Sequence, residues 1–305
     1  MTSHFKTEDL TAAKLFDVSK LKCVVTGGGT GIGLMCTQAL VANGATVYIT
    51  GRRKEALDTV VNEHSSGPGK IIAITGDVSK KDECIRLAKE IGEKESNGIH
   101  LLVNNAGIAR DDNTKLSNNP PDSWEDAEAL SKHMLESDPA AWEETFRTNI
   151  IGQFFMAAAF APLLAKANKA GYEPFPGIKY TSSIVNITSI SGLMKGTSSG
   201  QFAYANSKAA MKQQSFHIAS HLQGTGIRVN QIAPGVFPSE MTTSESDEQN
   251  KSELSSKLGN PSGRGGSDAE MAATILYLAG PGGLFCNGEV IHPDGGATLT
   301  QPAVM

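Results

Sequence analysis

The strongest constraint on this chain is a glycine cluster set between a strand and a helix. Leu21–Thr26 is an apolar run and Leu34–Asn43 a helical stretch closed by Gly44. Between them lies Thr26-Gly27-Gly28-Gly29-Thr30-Gly31-Ile32-Gly33. Gly27 permits a tight turn, Gly31 lets backbone approach a pyrophosphate, and Gly33 lets the helix pack close to the strand. The helix start adds free N–H groups and a partial positive charge. Gly27, Thr30, Gly31, Ile32 and Gly33 are therefore expected to cradle phosphate. The spacing is Gly-x3-Gly-x-Gly rather than Gly-x-Gly-x-x-Gly, and a purely structural turn is the alternative. The position after a first strand favours a dinucleotide site.

The rest of the chain repeats the strand–helix rhythm. Strands are expected at 21–26, 45–50, 71–75, 99–103, 183–188, 227–232 and 289–292. Helices are expected at 34–43, 80–95, 140–166, 203–222 and 268–279. Strand cores that are apolar throughout, alternating with helices, predict an α/β fold. It is a Rossmann-type doubly wound parallel sheet of about seven strands with helices on both faces. No linker divides the 305 residues, so one domain spanning 1–305 is expected. Segment 110–139 reads as an insertion with a short helical pattern at 124–135, and 236–266 as a Ser/Glu/Gly-rich loop.

The end of the second strand, Tyr48-Ile49-Thr50-Gly51-Arg52-Arg53, distinguishes the two dinucleotides. A site for NAD wants an acid there for the ribose 2′-hydroxyl, and none occurs before Glu55. Two guanidiniums instead suit a 2′-phosphate, so NADP(H) is expected, with Arg52 the first contact and Arg53 the second. Asp77 and Val78 end the third strand. Asp77 either meets the adenine amino group or caps the next helix.

Tyr204 and Lys208 stand four apart and share one helical face. An ammonium beside a phenol favours the phenolate, which suits proton transfer near neutral pH. Ser189 lies just past a strand, at the edge where ligands of open α/β sheets bind. Asn104-Asn105-Ala106-Gly107 follows the fourth strand at the same edge. Asn149 is an amide in an apolar helical setting, either functional or a satisfied core residue.

With these segments in place, the chain resembles the short-chain dehydrogenase/reductase superfamily along nearly its whole length. The resemblance rests on Thr26–Gly33, Gly76–Val78, Asn104–Gly107, Asn149, Asn186–Gly192, Tyr204–Lys208 and Pro234-Gly235. It implies that Tyr204 is the general acid in reduction and the base in oxidation. Lys208 would lower its pKa and bind the nicotinamide ribose, Ser189 would orient the carbonyl, and Asn149 would hold a water in a proton relay. Asn104, Ala106 and Gly107 would line the cofactor cleft, with Pro234 and Gly235 near the nicotinamide. Ser189 precedes Tyr204 by 15 residues, against about 13 in the family. The extra residues fall in 195–200, and Ser191 stands at the usual spacing; the strand end favours Ser189. The stretch after Gly235 is similar to rhamnolipid-pathway 3-oxoacyl carrier-protein reductases. The family also implies a homotetramer or homodimer formed through helices 140–166 and 203–222, and 236–266 as the substrate loop.

The remaining signals bound these readings. Net charge is −5, which offers no basic surface for nucleic acid or anionic membrane. No apolar run approaches the roughly 18 residues of a membrane span, and 1–20 lacks an apolar signal-peptide core. Four scattered cysteines read as reduced thiols of a cytoplasmic protein. His217 and His221 share a helix face but lack a third ligand, so no metal is expected. Segment 110–139 is either a substrate rim or lid, or a solvated excursion. The leading expectation is an NADPH-dependent reductase of a small-molecule carbonyl. The alternatives are an NAD(P)+-linked alcohol dehydrogenase and a non-catalytic NADP(H)-binding sensor.

Overall fold

A computed structural model describes residues 5–243, 246–254 and 258–303. Seven strands form one parallel sheet: β1 Lys22–Thr26, β2 Thr46–Gly51, β3 Lys70–Thr75, β4 Leu101–Asn104, β5 Ser183–Ile187, β6 Arg228–Ile232 and β7 Val290–Ile291. Their order is β3-β2-β1-β4-β5-β6-β7. The chain winds outward from β1 to β3, then crosses back to β4 on the other side of β1. That reversal opens a crevice beyond the C-terminal ends of β1 and β4.

Among the described residues, eight helices have two or more turns: α1 Gly31–Ala42, α2 Lys54–Glu63, α3 Lys81–Lys94, α4 Ala127–Leu135, α5 Pro139–Phe146, α6 Gln153–Lys169, α7 Phe202–Leu222 and α8 Asp268–Ala279. Alternation along β1 sends Cys23 and Val25 to one face and Val24 to the other, as a two-residue repeat requires. The first face packs Leu34 and Leu40 of α1 with Met271 and Ile275 of α8. The second packs Leu87 of α3, Phe160 of α6 and Ile218 of α7. Each such buried aliphatic or aromatic side chain contributes about 1.5–3 kcal/mol, and both faces are closed.

Two elements differ from the expectation. Helix α2 was not foreseen, because only Leu57 and Val60 of it are buried and its apolar pattern is sparse. The helix expected at 140–166 is interrupted by a π-helical segment, Arg147–Gly152. The combined run Pro139–Lys169 has 31 residues, and an 18-residue stretch of it reaches a mean hydropathy of 1.6, long and apolar enough to cross a membrane. This corrects the expectation that no run approached that length. In the fold, Met156, Phe160 and Leu164 of this run are buried against the sheet, and a core helix meets the same criterion.

Candidate active site

The glycine turn is shaped as its spacing predicts. Gly27 and Gly31 take left-handed conformations, with φ of +64° and +52°. A Cβ on Gly33 would stand 2.1 Å from the Gly27 carbonyl oxygen, so only glycine lets α1 approach β1 this closely. Thr30 and Ile32 complete the turn on the wall of a cleft of about 610 Å³, which runs from Gly27 and Arg52 to Tyr204 and Lys208. The Thr26 hydroxyl binds the turn to the next strand end, accepting from Asn105 N and Ala106 N at 3.0 Å each.

The two arginines separate in the structure. Arg53 forms a bidentate pair with Glu240, at 3.1 and 2.7 Å, across the mouth of the cleft. Arg52 lines the same cleft and, among the described residues, makes no hydrogen bond or ion pair. Its guanidinium is thus the one of the two that is free for a phosphate. The segment carrying Glu240 is tied down further along, where Asn250 Nδ2 donates to Gly29 O at 3.1 Å and Ala56 O at 2.9 Å. Asp77 accepts from Ser79 N and Oγ at 3.1 and 2.7 Å. It forms a local turn; α3 itself begins after Lys80, so Asp77 does not cap it directly. Burial raises its carboxyl, but the Ser79 bonds and nearby Lys80 and Arg52 hold it below the usual range. Val78 lies beside it on the cleft wall.

At the end of β4 the wall is formed by Asn105, Ala106 and Gly107, not by Asn104. Asn104 is fully buried and donates to Asn186 Oδ1 at 3.0 Å. Asn105 turns the other way and donates to the carbonyls of Thr26 and Gly27 at 2.9 and 3.1 Å. Pro234 and Gly235 also stand back from the lining. Pro234 O accepts from Ile190 N at 3.1 Å, and Gly235 N donates to Pro293 O at 3.1 Å.

Tyr204 and Lys208 line the far end of the cleft, while Ser189 and the fully buried Asn149 lie behind that lining. The Lys208 Nζ lies 5.7 Å from the Tyr204 ring centroid and donates to Ile187 O at 2.9 Å. Ser189 stands at the head of a short turn, where its hydroxyl accepts from Ser191 N at 3.1 Å. Of the two serines, Ser189 is the one whose hydroxyl acts on the Tyr204 phenol. Burial pushes that phenol above its ordinary value, while the Ser189 hydroxyl pulls the other way. Burial also pushes the Lys208 ammonium down, to about 8. The sequence reading, in which the ammonium beside the phenol lowers its pKa, is corrected: the phenol lies above its ordinary value, because desolvation opposes charge on both partners.

Asn149 owes its place to the π-helical segment, a widening often seen at functional sites. Its Oδ1 accepts from Ile108 N at 2.9 Å, and its Nδ2 donates to Ile108 O and to Ser207 Oγ at 2.9 Å each. Ser207 Oγ in turn donates to Tyr204 O at 2.7 Å. Asn149 is therefore linked to the backbone of the tyrosine helix. A Cβ on Gly107 would lie 3.3 Å from Asn149 Oδ1 and 3.5 Å from Lys208 Nζ, so the glycine leaves these two groups close together. The helical pair His217 and His221 plays no part here; His217 is 3.0 Å from Gln213 Nε2.

The segment following Ala109 was only partly legible. Arg110, Asp112 and Lys115 line the cleft, as a rim would. Asp111 was not singled out, yet its buried carboxylate accepts from Ala203 N at 2.8 Å and Tyr204 N at 3.0 Å. The only signal for it was an acid shortly after Gly107.

The cleft fits a dinucleotide on its own geometry: a cradle of glycines that a Cβ would fill, a free guanidinium at the β2 end and an acid–base cluster opposite. Comparison with known proteins agrees. The short chain dehydrogenase family pattern matches residues 22–250. The chain is 40% identical over 299 residues to the short-chain dehydrogenase/reductase PhomF′ of Diaporthe leptostromiformis, covering 97% of this chain and 98% of that protein. It is 35% identical over 286 residues to the rhamnolipids biosynthesis 3-oxoacyl-[acyl-carrier-protein] reductase of Pseudomonas aeruginosa, covering 93% and 98%. Among solved structures, the Pseudomonas aeruginosa RhlG/NADP active-site complex is similar with a TM-score of 0.73 and 31% identity, over 93% of this chain and 98% of that one. With the glycine turn, the parallel sheet and the tyrosine–lysine cluster in these positions, the chain belongs to the short-chain dehydrogenase/reductase family.

Proposed function

We propose that the protein is an NADPH-dependent reductase of a small-molecule carbonyl. The observation that carries this reading is the single cleft that holds the glycine turn and Arg52 at one end and Tyr204 with Lys208 at the other. When bound, the nicotinamide supplies the hydride, and the chain supplies orientation, charge and the proton. Gly27, Thr30, Gly31 and Ile32 receive the pyrophosphate at the start of α1. Arg52 takes the 2′-phosphate, with Arg53 available once it leaves Glu240. Similarity to a solved structure titled as an NADP complex supports this cofactor.

Tyr204 donates its phenolic proton to the substrate oxygen, which Ser189 holds by a second hydrogen bond. Lys208 stabilises the phenolate left behind, because an ammonium this close favours the charged form. Asn149, fixed by Ile108 and Ser207, is the proposed holder of a water that relays the replacing proton toward Lys208. A buried site gives these charges more effect than water would. Similarity to a protein named as a 3-oxoacyl-[acyl-carrier-protein] reductase supports a ketone as the reacting group. The segment 236–266, whose Met241 lines the cleft, is the proposed substrate loop.

Replacing Tyr204 with Phe tests the assignment. NADPH affinity, read by quenching of protein fluorescence, should change by less than about threefold. Turnover should fall by about a hundredfold or more, the usual scale of a positioned acid. Retained turnover would remove Tyr204 from the proposed role.

A further inference from the structure

The helix that carries Tyr204 lacks a cap of its own. Gln201, the residue at its N-cap position, makes no side-chain cap bond to the first turn of α7. The first N–H groups of any helix need partners, and leaving them unpaired in a buried setting is costly. Here the partner comes from a distant segment. Asp111, 5% exposed, places Oδ1 on Ala203 N at 2.8 Å and Oδ2 on Tyr204 N at 3.0 Å. One of the two amides it holds is therefore that of the candidate acid itself.

Asp111 is itself braced. Thr114 Oγ1 donates to Gly200 O at 2.8 Å, and Leu116 N donates to Ser199 O at 2.8 Å. Ser198 and Ser199 sit at φ of +50° and +59°, a conformation that disfavours residues other than glycine. The strained loop entering α7 is thus held in place by the stretch after Arg110. That stretch is in turn fixed by His133 of α4, whose Nε2 is 3.2 Å from Thr114 O.

We propose that Asp111 is a positioning residue: it caps α7 from outside the helix and sets the placement of Tyr204 toward the substrate. The proposal deepens the reductase reading and rests on it for the identity of Tyr204 as the acid. It gives segment 110–139 a second task besides rimming the cleft. A carboxylate suits this place because its two oxygens serve two separate amides, and because negative charge at a helix start is favourable. An asparagine has one acceptor oxygen and would turn an amine toward the second N–H.

The test compares wild type, Asp111→Asn, Asp111→Ala and Tyr204→Phe. Hydrogen exchange is followed by mass spectrometry in peptides covering 200–208 and, as a control, 268–279. In Asp111→Ala, exchange should quicken in 200–208 and stay unchanged in 268–279, with Asp111→Asn in between. Ultraviolet difference titration, with Tyr204→Phe identifying the signal, should show the Tyr204 ionisation moving back toward the ordinary tyrosine value. On a substrate that wild type reduces, kcat should fall about tenfold or more with KM within about twofold, since small misplacements cost mainly the chemical step. Unchanged exchange in 200–208, or faster exchange with an unmoved Tyr204 titration, overturns the proposal. The exchange and titration need no turnover. A wild type that reduces no carbonyl would therefore count against the reductase reading while these two readings still decide the role of Asp111. If Asp111→Ala does not fold, the milder Asp111→Asn decides by the same readings.

Discussion

Lys208 shows how a single residue trades stability for chemistry. Its ammonium is almost fully buried, and burial moves its pKa from 10.5 to about 8. Below about 8 the group is charged whether folded or unfolded, and the folded state bears the whole desolvation cost, about 3 kcal/mol. Between about 8 and 10.5 the folded chain has released the proton while the unfolded chain still holds it, so stability rises with pH. Above 10.5 both forms are neutral and the cost is gone. Lys208→Met should therefore raise stability at pH 7 by about 2 kcal/mol, after allowing for the lost bond to Ile187 O, while abolishing turnover. Denaturant unfolding at pH 7 and at pH 10.5 checks this. A variant no more stable than wild type at pH 7 would contradict the assigned burial cost. The sequence marked Lys208, Tyr204 and Ser189 because a four-residue helical spacing and a strand end are local patterns. It could not separate Asn104 from Asn105, since neighbours at a strand end face opposite ways. Asp111 was hidden because its partners, Ala203 and Tyr204, are close only in the folded chain.

At the scale of elements, the helix–strand contact at the glycine turn leaves no room for a side chain. A Cβ on Gly33 would lie 2.1 Å from Gly27 O and 2.5 Å from Asn105 Nδ2, whereas one on Gly29 would meet Ala56 Cβ at 3.6 Å. Gly33→Ala should thus lower stability by about 2–3 kcal/mol and remove NADPH binding, because the overpacked helix must move off the strand. Gly29→Ala should leave both near wild type. Thermal unfolding with and without NADPH distinguishes the two, and equal behaviour would dismiss the close-packing argument. The strands were readable throughout, because each is a short apolar run bounded by glycine or polar residues. The π-helical widening at 147–152 was not readable, since it depends on Asn149 and Gln214 finding partners across the fold. Gln214 Nε2 donates to Ile150 O at 3.1 Å.

Over the whole molecule, the reversal of winding at β1 and β4 brings segments far apart in sequence to one edge. Arg52 follows β2, Ser189 follows β5, and Tyr204 opens a helix between β5 and β6. The strand–helix alternation makes the doubly wound sheet legible, and with it the edge on which the site lies. The loops that shape the substrate end are less legible, because their conformation is set by contacts such as Arg53 with Glu240. The central claim is that one cleft joins a 2′-phosphate site to a tyrosine acid. The most direct measurement is oxidation of NADPH and of NADH by the purified protein against a 3-oxoacyl thioester, a diketone and a quinone, repeated with Arg52→Ala. A charge-assisted contact to the 2′-phosphate predicts that kcat/KM for NADPH exceeds that for NADH by about tenfold to a hundredfold, and that Arg52→Ala erases the difference. Equal use of both cofactors by the wild type, or a preference that survives Arg52→Ala, would contradict it.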